Sequence, residues 1–453
     1  MTTLETDVCV AGAGFAGLTA ALRLRQAGRA VVVLEAAARI GGRTWTDRLV
    51  DGTLVERGGA WLGPGQDRAY ALAAEMGVAT YPTWGRGEHV LVQGGVARRY
   101  RGALPPGVGA VQLASLGLAM ARLDRLARQV PLEAPWDAPR AERWDARTVR
   151  AWIDRNTLPG VGRRLLTQVL HDIFTSDLSE VSLLHALYLI HSHQNLNHLT
   201  TIEGGAQQDR LVGGTGAVLA GICARLGDAV RLEAPVVRIT HGRDGATVAS
   251  PALVVRARRV IVAVPAATAA RIVYDPPLPI DRAQLLQRMP LGSIWKIALV
   301  YDEPWWRDEG FSGQSLDPDS PLPLTLDACG ASTPPGILNL FCSGAAARRL
   351  SGLAADERSR AAVEALSLRF GPKAARVRDY AEQDWTAEPW IGGGMLSRFG
   401  PGVLTTFGRS LRPAVGCLHW AGTETATVTH GGIDGAIRSG ERAAAEIVAA
   451  LGS

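Results

Sequence analysis

Apolar and polar positions follow a strand–helix–strand pattern over residues 7–35. The runs DVCVAG and AVVVLE are continuous apolar stretches rich in valine, which predicts two buried strands. Between them, FAGLTAALRLRQAG carries apolar residues at helical spacing and closes on Gly28. The pattern indicates the βαβ unit of an α/β protein with a parallel sheet.

A glycine-rich turn joins the first predicted strand to the helix. Gly12, Gly14 and Gly17 stand in GxGxxG order, and Glu35 ends the second strand eighteen residues after Gly17. The first glycine permits a tight turn, the second lets a pyrophosphate approach the backbone, and the third lets helix and strand pack closely. The acid is placed for a ribose hydroxyl, so the unit predicts a dinucleotide site for either NAD or FAD.

The rest of the chain changes between helical and strand-like periodicity. GAVQLASLGLAMARLDRLARQV and GVGRRLLTQVLHDIF predict amphipathic helices, whereas VRLEAPVVRI, VVRARRVIVAVP and IWKIALVY predict strands. The last segment predicts a strand, a polar glycine loop and a long amphipathic helix. A second glycine turn contains Gly213, Gly214 and Gly216, but no strand ending in an acid follows it. We therefore expect a structural turn there, with a contact to the same cofactor left open.

Composition narrows the class of protein. With 453 residues the chain predicts two or more domains, and 47% hydrophobic with 20% charged residues suits a globular protein. The net charge of +5 comes without a long basic run, so nucleic-acid binding is not expected. The five cysteines form no CxxC pair, which favours a reducing compartment. No signal peptide or membrane-length apolar stretch is recognisable, and we expect a cytoplasmic protein that does not bind membranes.

Lysine is rare in this chain. Only two of its 48 lysine and arginine residues are lysines, Lys296 and Lys373. Lys296 lies in a β-branched run beside Trp295, Ile297 and Leu299, which predicts burial on both faces of a strand. A compact ammonium, whose pKa falls readily on desolvation, suits a chemical role better than a planar guanidinium. A strand-edge lysine that faces water is the alternative.

Seven motifs are spread over nearly the whole chain: VAGAGFAGLTAA, LEAAARIGGRTWT, ERGGAWLG, GGAQQDRLVGGTG, PLGSIWKIALVY, DWTAEPWIGGG and HWAGTETATVTHGGIDGAIRSGERAA. Together they resemble the flavin monoamine oxidase family, which also includes polyamine and amino-acid oxidases. The resemblance implies FAD, oxygen as the electron acceptor and a homodimer. It also implies a discontinuous Rossmann-like FAD-binding domain of residues 1–79, 212–285 and 388–453. A mixed α+β substrate-binding domain would comprise residues 80–211 and 286–387.

The resemblance assigns residues to the cofactor. Glu35 matches a ribose ligand, Arg43 a pyrophosphate contact and Val236 an adenine-side backbone contact. Thr423 and Glu424 match residues near the flavin ring. The expected FAD contacts are Gly12, Gly14, Phe15, Ala16, Gly17, Glu35, Ala36, Arg39, Gly42, Arg43, Gly58, Gly59, Ala60, Trp61, Val236, Trp390, Gly422, Thr423, Glu424, Gly432 and Ile433.

The same resemblance assigns residues to the chemistry. The family lysine that matches Lys296 holds a water against the flavin N5 atom, and Trp385 matches a tryptophan packed by the flavin. Core packing is the alternative for Trp385. The residues expected to face the substrate are Gln207, Met395, His430 and Gly432.

Two departures from the family pattern alter what is expected. Gly394 stands where some members carry the cysteine that bonds FAD, so the cofactor should be noncovalent. Met395 and Gly432 stand where monoamine oxidases carry two tyrosines that form an aromatic cage. Their absence suggests a wider pocket, or an aromatic ring supplied by Trp61 or Trp390.

Four of the nine histidines lie in HALYLIHSHQNLNHL, namely His185, His191, His193 and His198. Their spacing is not a standard zinc pattern, and no cysteine or carboxylate cluster joins them, so no metal site is expected. A polar lining of a substrate cavity, or a solvated helix end, explains them better. For His430, a contact to the substrate and a cap of its loop carry equal weight.

The implied reaction is oxidation of a C–N bond of an amine to an imine or carbonyl product, with hydrogen peroxide formed from oxygen. The missing rings favour a bulky or non-standard amine. An amino-acid oxidase or a flavin-dependent desaturase of the same fold is one alternative, and the former would need an arginine facing the substrate carboxylate. A flavoprotein that carries FAD but serves as a binding or assembly module, without catalysis, is an alternative of another class.

Overall fold

An eight-stranded sheet forms one half of the fold in the computed structural model, which describes residues 2–102 and 107–452. Its strands lie in the order Val230–Arg231, Val31–Leu34, Thr2–Ala11, Leu253–Val262, Ala246–Ala249, Arg238–His241 and Val273–Asp275, and Leu418–Trp420 also pairs with Leu253–Val262. Thr2–Ala11 runs parallel to both of its neighbours. Its last four residues are fully buried, as expected for a parallel strand covered on both faces.

Helices cover this sheet. They include Phe15–Gln26, Asp67–Glu75, Thr215–Leu226, Ala266–Ala269, Ile280–Gln287 and Ile433–Leu451. The first and last of these cross so closely that a Cβ atom on Gly440 would lie 2.3 Å from the carbonyl oxygen of Ala16. The C-terminal helix therefore packs directly on the helix that follows the glycine turn.

A seven-stranded sheet forms the other half. Its strands lie in the order Asp379–Asp384, Ile294–Tyr301, Gly336–Ser343, Leu324–Asp327, Phe311–Leu316, Glu88–Gln93 and Val96–Tyr100. The strand Ile294–Tyr301 is buried along its whole length and pairs antiparallel on both sides. It therefore carries Lys296 into the interior of the protein.

The remaining helices are Ala110–Ala127, Ala141–Asp145, Val149–Asn156, Val161–Phe174, Leu183–Ser192, Leu196–Thr200, Trp305–Asp308, Gly344–Leu350, Ala355–Phe370 and Val403–Phe407. Short 3-10 turns occupy Pro135–Asp137, Gly227–Ala229, Pro372–Ala375, Gly408–Ser410 and Thr423–Thr425. Leu183–Ser192 begins at Ser182, whose hydroxyl accepts hydrogen bonds from the amides of Leu184 and His185. All residues of this helix except His191 are buried, so it crosses the core.

Three small sheets complete the described chain. They pair Thr46–Arg48 with Leu54–Glu56, Leu291–Gly292 with Gly394–Ser397, and Asp209–Leu211 with both Trp61–Leu62 and Thr80–Pro82. Over residues 2–102 and 107–452, no helix has the length and apolar character that a membrane crossing requires.

The α/β class predicted from the sequence is confirmed, with differences in detail. The first strand begins at Thr2, and the segment VRLEAPVVRI is not one strand, because Val230–Arg231 and Arg238–His241 join opposite sides of the sheet. All strands of the eight-stranded sheet lie in the segments predicted for the FAD-binding domain, and all strands of the seven-stranded sheet lie in those predicted for the substrate-binding domain. One continuous core nevertheless spans those limits, and the division into two domains stays a prediction.

Candidate active site

A cavity of about 680 Å³ lies between the glycine turn of the first sheet and the Lys296 strand of the second. Of the expected site residues, it is lined by Gly12, Gly14, Phe15, Ala16, Glu35, Ala36, Arg39, Gly42, Arg43, Gly58, Gly59, Ala60, Trp61, Val236, Trp390, Gly422, Thr423, Gly432, Ile433, Gln207, Met395, His430, Lys296 and Trp385. Gly17 and Glu424 are the two that do not line it. The glycine turn and the buried lysine therefore line the same cavity.

The glycine turn is crowded by protein on one side and open on the other. Gly12 has a φ of +104°, and a Cβ atom on it would lie 3.0 Å from the carbonyl oxygen of Ala263. A Cβ atom on Gly17 would lie 2.0 Å from the carbonyl oxygen of Gly12. At Gly14, by contrast, nothing comes closer than 3.8 Å. The free space beside Gly14, at the start of Phe15–Gln26, fits a pyrophosphate at a helix N-terminus.

Glu35 ends its strand beside this turn. Its carboxylate accepts hydrogen bonds from the amides of Ala13 at 2.7 Å and Ala37 at 2.9 Å. Burial raises the pKa of Glu35, and these amides oppose the rise. The two amides hold the carboxylate in place at the cavity wall, where its remaining lone pairs suit a ribose hydroxyl.

Arg43 and Glu424 form a two-pronged ion pair behind the cavity wall. The guanidinium nitrogens lie 2.6 Å and 2.9 Å from the carboxylate oxygens. Burial raises the pKa of Glu424, but the Arg43 charge, the hydrogen bonds from Arg43 and from the backbone, and His430 together lower it to about 2. Glu424 does not line the cavity, and its expected contact to FAD stays a prediction. It contacts Arg43 and Ser397 instead, and it fixes the guanidinium that does line the cavity.

Lys296 is buried, as its neighbours predict, with 4% of its surface exposed. Its Nζ atom donates a hydrogen bond to the carbonyl oxygen of Gly58 at 2.8 Å, and among the described residues no other group accepts from it. Burial lowers the pKa of Lys296 to about 7, while Glu56 opposes and Arg210 adds to the effect. The side chain can hold a proton, and its other N–H donors can bind a water or ligand.

Aromatic rings surround this lysine. Its Nζ atom lies 4.7 Å from the ring centroid of Trp61 and 5.7 Å from that of Phe341. Trp385 is also buried, and its indole N–H donates to the carbonyl oxygen of Arg57 at 2.9 Å. Trp61 thus supplies an aromatic wall, although the two cage positions, Met395 and Gly432, carry no ring.

The segments 80–211 and 286–387 supply a mostly apolar wall away from the glycine turn. Its apolar members include Val169, Ile173, Leu199, Ile202, Leu316, Leu324, Leu326 and Phe341. Asp172 is an exception. Its Oδ1 atom accepts from Ser343 at 2.7 Å and from Gln168 at 2.8 Å, while Oδ2 accepts no hydrogen bond from the described residues. Sequence reasoning missed both Asp172 and Phe341.

Three of the clustered histidines are buried, which makes the solvated-helix-end interpretation wrong. His185 and His430 place their Nε2 atoms 3.4 Å apart, and His193 binds the carbonyl oxygen of His430. His198 contacts the carbonyl oxygen of Pro64 at 2.9 Å. Among the described residues, no group of three or more His, Cys, Asp or Glu could hold a metal ion.

The second glycine turn is a structural one. The carboxylate of Glu56 accepts from the amide of Thr215 at 2.8 Å, and a Cβ atom on Gly214 would lie 2.1 Å from that carboxylate. Gly213, Gly214 and Gly216 do not line the cavity. The Glu56 side chain therefore occupies the anion site at this helix N-terminus.

Comparison with known proteins identifies the chemistry of the cavity. Residues 15–448 match the family described as flavin containing amine oxidoreductase. The chain belongs to this family. AofH of Mycobacterium tuberculosis strain H37Rv, whose name assigns it provisionally to the flavin-containing monoamine oxidases, is 39% identical, with 98% of this chain and 97% of AofH covered. The flavin-containing amine oxidase B of Sus scrofa is 35% identical, with 99% and 87% covered.

Solved amine oxidase structures share the whole fold. Wild-type putrescine oxidase bound to putrescine superposes with a TM-score of 0.95 at 34% identity, covering 99% of this chain and 100% of that one. Cyclohexylamine oxidase from Brevibacterium oxydans IH-35A gives 0.95 at 33% identity, covering 98% and 99%. As a flavin amine oxidase the protein uses FAD, and Gly394 offers no side chain that could bond it. The cofactor is noncovalent.

Proposed function

We propose that the protein converts an amine with a large apolar body to a carbonyl compound. In the overall reaction, one primary amine, one oxygen molecule and one water give one carbonyl compound, one ammonia and one hydrogen peroxide. When bound, FAD would supply the redox chemistry, namely the two-electron oxidation of the amine and the reduction of oxygen to hydrogen peroxide. The protein supplies the binding, the orientation and the charge.

The buried ammonium of Lys296 in the cavity that begins at the glycine turn is the observation that carries this proposal. Its environment keeps the group dry and close to half-protonated at neutral pH, because its pKa is about 7. Such a group can hold a water and present a positive charge where oxygen is reduced. A guanidinium would stay charged at any pH.

The wall supports a bulky substrate. Leu316, Leu324 and Phe341 line the side away from the glycine turn, and the two cage positions carry no aromatic ring. Asp172 adds a carboxylate to this wall, and its Oδ2 atom accepts no hydrogen bond from the described residues. The cavity thus suits an amine whose body is apolar and whose far end carries a hydrogen-bond donor, such as a second ammonium or a hydroxyl group.

The amino-acid oxidase alternative finds no support in this cavity. The arginines that line it are Arg39, Arg43, Arg57 and Arg271. None of them comes from the segments that build the apolar wall, and Arg43 is already paired with Glu424. Among the described residues, a substrate carboxylate would therefore meet no arginine on the apolar wall.

A substrate panel tests the proposal. Purified protein loaded with FAD is incubated aerobically with amines of increasing apolar size, with and without a second amino or hydroxyl group, and with amino acids. Peroxide should form with the larger amines, and the same amines should bleach the flavin under nitrogen. Bound FAD that no amine bleaches would contradict the proposal and favour the alternative of a non-catalytic flavoprotein that serves as a binding module.

A further inference from the structure

Arg210 is a second buried cation beside Trp61. The strand Asp209–Leu211 pairs antiparallel with Trp61–Leu62, and Arg210 lies opposite Trp61 in that pairing. The guanidinium carbon of Arg210 lies 5.8 Å from the centroid of the Trp61 ring, and the Nζ atom of Lys296 lies 4.7 Å from the ring centroid of the same residue. One tryptophan thus contacts two cationic side chains.

The Arg210 guanidinium has no carboxylate partner among the described residues. The residue is only 6% exposed. Its Nη1 atom donates to the carbonyl oxygens of Ala328 at 2.6 Å and Cys329 at 2.9 Å, whereas its Nε atom is buried without a described hydrogen-bond partner. A buried charge without an ion-pair partner destabilises a folded protein. Stability therefore does not account for this side chain, and its neighbour Lys296 offers another reason for it.

The other surroundings of Lys296 supply little net charge. Phe341 and Gln383, which lie opposite Lys296 on the two neighbouring strands, are uncharged. Arg57 belongs to the loop that holds the lysine, and its Nε atom is paired with Asp47 at 2.7 Å. The ammonium is therefore exposed to few unbalanced charges besides that of the buried guanidinium.

Glu56 and Arg210 act on this ammonium with opposite effects. The Glu56 carboxylate is buried and accepts from the amide of Thr215. Protonation of Lys296 adds a second positive charge beside Arg210, whereas the neutral amine leaves one positive and one negative charge. Like charges repel more strongly in a dry site than in water. Burial lowers the pKa of Lys296 to about 7, and the Arg210 charge acts in the same direction.

We propose that Arg210 is a positioning residue for the reaction with oxygen, because its fixed charge keeps the Lys296 ammonium ready to give up a proton. The inference rests on the proposed function, in which Lys296 acts where oxygen is reduced. A guanidinium is always charged and does not exchange its protons in this way. Arg210 therefore needs no contact to the substrate or to oxygen, since it acts through Lys296.

Two substitutions separate the charge of Arg210 from its contacts. Arg210→Gln keeps an N–H donor for a backbone carbonyl but removes the charge, whereas Arg210→Lys keeps a charge but loses the guanidinium. Holoenzyme reduced with dithionite, so that no amine is needed, is mixed with oxygen over a range of pH around 7. We expect the pH at which reoxidation slows to rise by about one unit in Arg210→Gln and to stay near the wild-type value in Arg210→Lys.

Two further variants complete the test. Glu56→Gln keeps an acceptor for the Thr215 amide but removes the negative charge, so reoxidation should slow at a lower pH than in the wild type. Arg282→Gln is the matched control, because Arg282 is also buried and donates to the carbonyl oxygens of Ser410 and Leu411. Arg282 does not line the cavity, and its variant should keep the wild-type profile. The FAD content of each variant is measured alongside.

The outcomes distinguish this inference from the proposed function. An unmoved profile in Arg210→Gln, or equal shifts in Arg210→Gln and Arg210→Lys, would overturn the inference alone. If the Arg210 variants do not retain FAD, Glu56→Gln decides, and an unmoved or upward-shifted profile there would overturn it. A wild-type profile identical to that of Lys296→Met would contradict the proposed role of Lys296 and this inference with it.

Discussion

Lys296 and the carbonyl oxygen of Gly58 are joined by a hydrogen bond of 2.8 Å from the Nζ atom. The contact connects the strand Ile294–Tyr301, which is second from one edge of the second sheet, to the loop that precedes Trp61. The Trp61 ring lies 4.7 Å from the same Nζ atom. A long, flexible side chain is thereby held at one point of the cavity wall, and its charge is preorganised rather than mobile.

Replacement of this lysine should affect oxygen chemistry more than cofactor binding. We expect Lys296→Met to slow reoxidation of the reduced flavin on the order of a hundredfold, because it removes a preorganised charge from a dry site. Stopped-flow mixing of reduced enzyme with oxygen measures this rate. FAD content should change little, since the side chain contacts the cavity wall and not the glycine turn.

Lys373→Met is the matched control, because Lys373 is the other lysine and is paired with Glu309 at the surface. It should reoxidise at the wild-type rate. Equal reoxidation by Lys296→Met and the wild type would remove the role assigned to Lys296.

The pKa of Lys296 predicts how reoxidation depends on pH. Burial lowers this pKa to about 7, so the ammonium is present below that pH and is lost above it. A positive charge favours electron transfer to oxygen, and we expect reoxidation to be fast below about pH 7 and to slow as the pH rises through that value. The Lys296→Met variant should show no such step, and a step of the same size in the variant would assign the titration to another group.

Local patterns predicted the elements that carry the site but not the contacts between them. The glycine turn and the burial of Lys296 follow from short runs of residues. Phe341 lies beside Lys296 only because two strands pair in one register, and Asp172 enters the cavity from a helix. Local hydropathy cannot indicate such pairings. At His193 only one of the two interpretations holds, since the residue is buried and not solvated, but it does line the cavity.

The Arg43–Glu424 pair predicts a non-additive effect on stability. Arg43→Met leaves the buried Glu424 carboxylate without its cation and should lower the free energy of unfolding by about 3–5 kcal/mol. The double variant Arg43→Met/Glu424→Leu removes both charges and should be more stable than Arg43→Met alone. Urea unfolding of the apoproteins measures the differences.

FAD retention in the same variants separates the two roles of the pair. Both variants lack the guanidinium that lines the cavity, so both should bind FAD more weakly than the wild type. Additive changes in unfolding free energy would contradict the view that Glu424 serves to hold Arg43.

Asp172 predicts a preference among substrates. Asp172→Asn keeps the size of the side chain but removes the negative charge beside Ser343. We expect the ratio of kcat/KM for a long α,ω-diamine to that for the alkylamine of equal length to fall roughly tenfold or more, since hydrogen bonds to charged groups are the stronger ones. The alkylamine is the internal control. An unchanged ratio would show that the far end of the substrate does not reach this carboxylate.

Replacing each of two glycines of the same turn by alanine should impair different properties, FAD affinity for one and apoprotein stability for the other. Gly14 has an ordinary extended backbone, with φ of −81° and ψ of −179°, and a Cβ atom there meets no protein atom within 3.8 Å. Gly14→Ala should therefore fold normally but lose FAD affinity, because the methyl group enters the space of the pyrophosphate. Gly17→Ala would place a Cβ atom 2.0 Å from the carbonyl oxygen of Gly12 and should destabilise the apoprotein itself. Apoprotein unfolding temperature and FAD titration distinguish the two outcomes, and a Gly14→Ala variant that binds FAD as tightly as the wild type would place the pyrophosphate elsewhere.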